Sequence, residues 1–291
     1  MIEGIVTVLK PPAMSSSDVV VDVRTIFETK RVGHLGTLDP EAAGVLPVCV
    51  GRAVRLFDYL VDKRKTYLAE IAFGASTDTQ DAQGAVTETS DAIVTGDMLD
   101  AVLPRFTGTV TQTPPMYSAL KYNGRKLYDL ALSGAEIPDK SREVEIVSLR
   151  RVGTRGENRF FLEICCSRGT YIRTLCSDIG AALGVPAHMA FLLRTASGAF
   201  TLGDAYSIAE LAERKAEGRL AETLTSCEDA VAFLKRLDLR SDRKKPALNG
   251  LPTRTGAEDG VYRLYCGDFL GIGAVKDGDA VLKVHLCTEE V

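Results

Sequence analysis

The sequence predicts an α+β protein with a larger N-terminal unit and a small all-β unit at its C-terminal end. Three observations carry this reading. Residues 67–73 and 159–166 repeat their apolar side chains with a period of two, as half-buried strands do. Segments 15–29, 95–106 and 171–183 instead carry apolar stripes at helical spacing, with capping residues at their ends. Beyond Leu234 the composition shifts. Three more alternating runs, 261–266, 269–275 and 280–286, follow there, joined by Gly-Asp and Asp-Gly turns.

The 291 residues suffice for one large or two modest domains. With 45% hydrophobic and 25% charged residues, the composition is that of an ordinary soluble globular protein. No apolar run approaches the ~18 residues of a membrane span. The N-terminus has an early Glu3 and no basic leader, so no signal peptide is read and a cytoplasmic location is expected. The seven cysteines include no C-x-x-C, which argues for reduced, mostly buried thiols and against a disulfide framework or a zinc site. A net charge of −4 weighs weakly against nucleic-acid binding, but the charges are segregated. Basic clusters stand at 63–65, at 121–126, at 150–151 and at 243–245, and acidic residues gather at 87–100 and 210–229.

In chain order, residues 4–9 form a strand that Lys10-Pro11-Pro12 stops. Ser15, Ser16 and Ser17 offer N-caps for a helix to about Thr29, with Val20, Val23, Ile26 and Phe27 inward. From Arg31 to Arg55, Gly33, Gly36, Gly44, Pro40 and Pro47 break any periodicity, so this stretch reads as a loop of fixed shape anchored by Val45, Leu46, Val48, Cys49 and Val50. Within it, Pro40 pushes Asp39 toward extended geometry. Composition favours an Asx-turn for Asp39. Its setting, with His34 five residues earlier and glycines close by, favours a functional carboxylate.

Residues 53–61 read as a short helix. In the strand that follows, Tyr67, Ala69, Ile71 and Phe73 share one face, and Leu68, Glu70 and Ala72 the other. Asp78 and Asp81, in the loop after it, lack EF-hand spacing and are assigned to turn chemistry. The 95–106 helix turns Met98, Leu99 and Val102 inward. Tyr117, Tyr122 and Tyr128 then stand among Lys121, Arg125 and Lys126. Rings to stack on and charges for phosphate suit RNA; an amphipathic helix with surface tyrosines is the competing reading.

Strands at 144–152 and 159–166 lead into S-R-G-T-Y-I-R-T-L, which places Tyr171 and Arg173 in the first turn of a helix ended by Gly184. His188 precedes an apolar stretch with Phe191, Leu192 and Leu193. Ser207 to Glu210 is a capping box opening an acidic helix, with Ile208, Leu211, Ala212 and Leu220 inward. A short basic helix, 240–249, ends at Gly250.

No catalytic triad, metal spacing or phosphate loop is present. What remains is Asp39, with Arg173, Tyr67 and Tyr171 at strand ends. A lone carboxylate can attack an electrophilic sugar or base carbon if it stays ionised in a secluded site, and a nearby arginine would hold its rotamer.

The residues also carry a resemblance. G-H-L-G-T-L-D-P-E-A-A-G-V-L (33–46) closely resembles the signature loop of the TruB family, the pseudouridine synthases that act on uridine 55 of tRNA. K-P-P-A-M-S-S (10–16) is similar to the family's K-P-x-G-x-T-S, with Ala13 for the usual glycine and Ser16 for the threonine. R-K-T-Y (64–67) resembles its tyrosine strand, Y-S-A-L-K (117–121) its RNA-contacting insertion, and R-G-T-Y-I-R-T-L (168–175) its arginine motif.

The resemblance implies a pseudouridine synthase fold, a mixed, mainly antiparallel central sheet flanked by helices. It implies a catalytic domain at 1–232 with an insertion at about 112–142, and a PUA-like RNA-binding domain at 233–291. Asp39 would be the catalytic aspartate, Arg173 its partner, and Tyr67 the residue that stacks on the flipped base and assists removal of the C5 proton. Tyr171 and Leu192 would line the base pocket. His34 would fill the space the nucleotide leaves, and Lys10 and Lys121 would join the substrate-binding set. No metal or cofactor is implied. The implied partner is tRNA, held at its T arm and acceptor stem by a monomer, with no membrane involved. Two alternatives remain: a non-catalytic tRNA-binding or folding module using the same surface, and a glycoside or nucleoside hydrolase, which would usually need a second carboxylate.

Overall fold

Apolar strands with few side chains free to face water must be covered on both sides, and this requirement shapes the molecule. The structure is a computed structural model that describes residues 2–61, 63–113, 121–122, 125–126 and 141–287. Among these, ten strands form one sheet. Eight lie along its path in the order Leu224–Thr225, Gly4–Lys10, Ala43–Val50, Ala187–Ser197, Lys65–Phe73, Arg159–Cys166, Arg142–Thr154, Gly108–Gln112. Val32–His34 and Phe200–Thr201 lie off this path and pair with the interior strands Ala43–Val50 and Ala187–Ser197 respectively. Only the pairing of Ala43–Val50 with Ala187–Ser197 is parallel, so the sheet is mixed and mainly antiparallel, as expected.

Helices Ser16–Ile26 and Ile208–Ala216 cover Val6, Val8, Leu46 and Val48 on one face. On the other face Ile5, Val45 and Cys49 pack with Leu56 and Leu60, and with Ile272 and Leu286 of the C-terminal unit. Helices Gly96–Val102 and Ile172–Leu183 close a third cluster over Ala69, Ile71, Leu162 and Ile164. The C-terminal unit is a five-stranded sheet around Leu264, Leu270, Val275 and Leu282. Cys49, Cys166 and Cys176 are buried, which pushes their thiols up to about 12, 11 and 12, so they serve as packing and not as nucleophiles.

Several expectations are corrected. The stretch 31–55 is mostly regular: Val32–His34 and Ala43–Val50 pair as strands, and only 35–42 forms the connection. Pro47 is tolerated mid-strand because its carbonyl, which accepts from Leu35, faces the side where the ladder with Val32–His34 has just ended. Its missing N–H therefore loses no rung. Glu70 and Ala72 are as buried as the residues on the opposite face, and Glu70 is satisfied by Arg155 and Arg159 at 3.4 and 3.2 Å. Met98 and Ala212 point outward, because each short helix docks through a narrow stripe, Leu99 with Val102 and Leu211 respectively. The stretch 187–197 is a central strand. Bulges between Met189 and Phe191, and between Arg194 and Ala196, erase its period-two pattern. By contrast, the helix read after Tyr171 is present as Ile172–Leu183 and ends at Gly184, its left-handed C-cap, as read from the sequence; Tyr171, expected in its first turn, is its N-cap. Within the insertion, Lys121–Tyr122 pairs with Arg125–Lys126. The side chains of these four, and all of Tyr117 and Tyr128, lie outside the described residues.

Gly44 sits at the parallel junction with φ +113, and a Cβ there would stand 2.2 Å from the Arg194 carbonyl oxygen. Both the backbone strain and the clash require glycine. Gly44→Ala is expected to destabilise the fold by about 3 kcal/mol or more. Urea unfolding would show this as a lowered midpoint with an unchanged slope.

Candidate active site

The connection 35–42 carries four carbonyls that buried side chains hold in place. Arg194, fully buried in its strand, donates from Nη2 to Gly36 O (3.1 Å), from Nη1 to Thr37 O (3.3 Å) and from Nε to Val45 O (2.7 Å). Ser16 Oγ donates to Leu38 O at 3.1 Å and accepts from Leu38 N at 2.9 Å. Lys10 Nζ donates to Pro40 O (2.8 Å), Pro11 O (2.8 Å) and Met14 O (2.6 Å). The backbone on both sides of Asp39 is thereby fixed, while its own side chain stays 43% exposed.

This arrangement corrects the place of Lys10. It was expected among the substrate-binding residues, but it is fully buried, does not line the cavity described below, and engages its ammonium with three carbonyls. Burial pushes it down to about 8, with Glu41 and Asp39 opposing that shift. Its neighbour Ala13 lies at φ +61, a conformation that glycine adopts at less cost. Lys10→Met leaves three carbonyls without their donor. It is expected to cost about 2 kcal/mol of stability and to slow turnover, without weakening RNA binding in proportion. Parallel unfolding, rate and binding measurements check this.

Arg173 approaches from the helix that follows strand Arg159–Cys166. Its Nε stands 3.0 Å from Asp39 Oδ2, a close ion pair rather than an aligned hydrogen bond. Its Nη1 donates to Thr79 O at 3.2 Å and lies 3.5 Å from Asp81 Oδ2. With only 6% of its side chain exposed, the guanidinium requires these partners, because an unpaired buried charge is strongly unfavourable. Asp81 was assigned to turn chemistry. It does take part in the turn, accepting from Thr79 Oγ1 and Gln83 N, but its second oxygen faces Arg173.

Asp39 and Arg173 line a cavity of about 400 Å³ together with Tyr67, Tyr171, Leu192 and His34. Six of the eight expected site residues, distant in sequence, thus share one space. Lys10 lies behind it, and the Lys121 side chain lies outside the described residues. Tyr67 is buried beside Arg194, its cross-strand partner. Burial pushes its hydroxyl up, partly opposed by Arg194, so it is a neutral phenol near pH 7. His34 is pushed below its usual range by burial and by Arg194, which keeps the ring neutral at pH 7. It therefore presents a flat, uncharged surface to the cavity.

Sequence reasoning missed Arg194 and Lys65, which also lines the cavity. The signal for Arg194 was a charge inside an apolar stretch. Such a residue is buried only when its donors are satisfied, and here three carbonyls satisfy them.

The segments that carry this arginine-held aspartate match known proteins. Residues 24–172 match the TruB family pseudouridylate synthase (N terminal domain), and residues 173–232 match the tRNA pseudouridylate synthase B C-terminal domain. The chain belongs to the TruB family of pseudouridylate synthases. Similar curated proteins include the tRNA pseudouridine synthase B of Bacillus pumilus, 43% identical over 86% of this chain and 83% of that one. That of Listeria innocua is 44% identical over 85% of this chain and 83% of the other. Among solved structures, an H/ACA RNP bound to a substrate RNA containing 2′-deoxyuridine gives a TM-score of 0.74 at 21% identity, covering 98% of this chain and 85% of that chain. A Cbf5-Nop10-Gar1 complex gives 0.73 at 22%, covering 99% and 84%. These two likenesses establish a shared fold. Within this TruB chain, Asp39 falls in the first matched segment and Arg173 opens the second, so the cavity joins the two.

Proposed function

We propose that this TruB-family chain isomerises uridine 55 in the T loop of tRNA to pseudouridine. The observation that carries the reading is the Asp39–Arg173 ion pair on the wall of a cavity shared with Tyr67, Tyr171 and Leu192. The target nucleotide flips into this cavity. A base in a loop costs least to flip, a few kcal/mol. His34 fills the space it leaves, and Tyr67 stacks on it.

The Asp39 carboxylate then drives cleavage of the bond between ribose C1′ and uracil N1. It either attacks C1′ directly or assists elimination to a glycal, and the bonding pair goes to N1 in both cases. The uracil turns within the cavity, C5 bonds to C1′, C5 loses its proton and N1 gains one, with the neutral Tyr67 hydroxyl beside the ring to assist that transfer. Substrate and product have the same atoms and oxidation state, so the chemistry calls for no redox cofactor.

Arg173 holds Asp39 ionised and aimed, and Leu192 and Tyr171 wall the pocket. The insertion at about 112–142, with Lys121, grips the T arm, while Gln112 at its base belongs to the central sheet. The PUA-like unit at 233–291 contacts the acceptor stem, while 1–232 forms the catalytic domain. The chain acts as a monomer in the cytoplasm. No described helix is long and apolar enough to cross a membrane. The curated relatives named tRNA pseudouridine synthase B support tRNA as the substrate. A binding module without catalysis is disfavoured, because a carboxylate held at an RNA-facing cavity repels phosphate and adds nothing to binding.

The test is tritium release from a tRNA transcript tritiated at uridine C5, with the product position mapped. Release confined to position 55 supports the reading. No release, or pseudouridine at another position, overturns it.

A further inference from the structure

We infer that Gln112 is a positioning residue that sets the catalytic pair by fixing the N-terminus of the helix bearing Arg173. This rests on the roles proposed above for Asp39 and Arg173. Gln112 is the last residue of strand Gly108–Gln112 and is 1% exposed. Its Nε2 donates to Tyr171 O at 3.2 Å, and its Oε1 accepts from Tyr171 N at 3.0 Å. One side chain thus satisfies both backbone groups of a single residue, as a neighbouring strand would. The orientation of the amide is forced, since the reverse would set two acceptors and two donors against each other.

Tyr171 is where this matters. It is the N-cap of helix Ile172–Leu183, and that helix has no side-chain cap of its own. The Tyr171 carbonyl also accepts the first intrahelical bond, from Leu175 N at 3.1 Å. Gln112 therefore satisfies, from a distant strand, the N-cap N–H that the N3 side chain of a capping box satisfies locally. Its cross-strand partner Arg142 completes the grip. The Arg142 guanidinium lies 4.9 Å over the Tyr171 ring, and its Nη2 donates to Gly169 O. Gly169 has φ +88, and a Cβ there would stand 3.3 Å from Arg142 Cζ, so the turn is shaped to admit this guanidinium. One rung of the sheet thus clamps 169–171, and Arg173 begins two residues later.

The clamp reaches the chemistry because Lys10, Ser16 and Arg194 hold the loop around Asp39 through its backbone, whereas Arg173 pairs with the carboxylate itself. Where its carboxylate sits is decided by Arg173, and where Arg173 sits is decided by the helix start. A displacement of about 1 Å at a reacting group costs about 100-fold in rate.

The experiment measures single-turnover tritium release and tRNA Kd for the wild type, Gln112→Met and Gln112→Asn, each alone and combined with Arg173→Lys. Gln112→Met keeps the volume and loses both bonds to Tyr171. It is expected to slow release by about 10- to 100-fold while Kd stays within about threefold. Gln112→Asn keeps the amide on a shorter stem and slows release by a smaller factor. If Gln112→Met does not fold, the Gln112→Asn variant carries the same readouts. In the Arg173→Lys background either penalty shrinks to less than about threefold, because the two residues act in series. A folded Gln112→Met variant with release within about twofold of wild type overturns the inference. So does a penalty that multiplies in full with Arg173→Lys, or a loss confined to Kd. A wild type that releases no tritium would fail the functional reading instead.

Discussion

Asp39→Asn is expected to abolish isomerisation, lowering tritium release by about four orders of magnitude or more, while tRNA binding survives within a few-fold. The amide has the size and shape of the carboxylate but neither attacks C1′ nor accepts a proton. The fold has little reason to object. The backbone around residue 39 is held by Lys10, Ser16, Arg194 and the bond from Ala42 N to Asp39 O, none of which uses the carboxylate. Arg173 would retain Asp81 and the Thr79 carbonyl. Removing a negative charge from an RNA-facing wall lessens repulsion of phosphate, so Kd is not expected to rise. Release at the wild-type rate from a folded Asp39→Asn variant, with binding assayed in parallel, would remove Asp39 from its role.

Arg173→Lys is expected to slow turnover by about 100-fold or more, although the charge is kept. The guanidinium meets Asp39 through Nε and Asp81 and Thr79 O through Nη1 at the same time. An ammonium on a flexible stem can sit at one of these places. Wherever it settles, the other carboxylate loses its fixed partner, and Asp39 gains rotamers that point away from the sugar. Stability should fall by only about 1–3 kcal/mol, because a cation still pairs with one of the two carboxylates and the other, Asp39 or Asp81, keeps partial exposure. Near-normal turnover in a folded Arg173→Lys variant would mean that the pair is incidental. A large rate loss with an unchanged near-UV spectrum and unchanged Kd is the expected pattern.

How far the sequence alone reached depends on how local each signal was. Helix Ile172–Leu183 was legible to within a residue, because its apolar stripe and its Gly184 stop lie side by side in the chain. The three hairpin strands of the C-terminal unit were legible for the same reason, as turn chemistry and period-two alternation stand together. The strand Ala187–Ser197 was not, because its two bulges break the period and its central place in the sheet lets it carry a buried arginine. Nor was the strand Ala43–Val50 separable from its loop, since Gly44 and Pro47 are loop residues everywhere except at a parallel junction and a ladder end.

The same division runs through the site. By itself the sequence determined the α+β class, the signature loop with its single constrained carboxylate, and the family to which those motifs belong. Motif residues are contiguous, and contiguity is what a sequence preserves. The tertiary structure alone decided which side chains act on that loop. Lys10 moved from substrate contact to buried tether, Asp81 kept its turn and gained Arg173 as a partner, and Arg194 and Gln112 came from unremarked positions to hold the loop and the helix start. Each of these roles consists of a donor meeting a carbonyl or carboxylate far away in the chain, and burial is what makes such meetings obligatory. A buried polar group must find a partner, and only the folded chain shows which one it found.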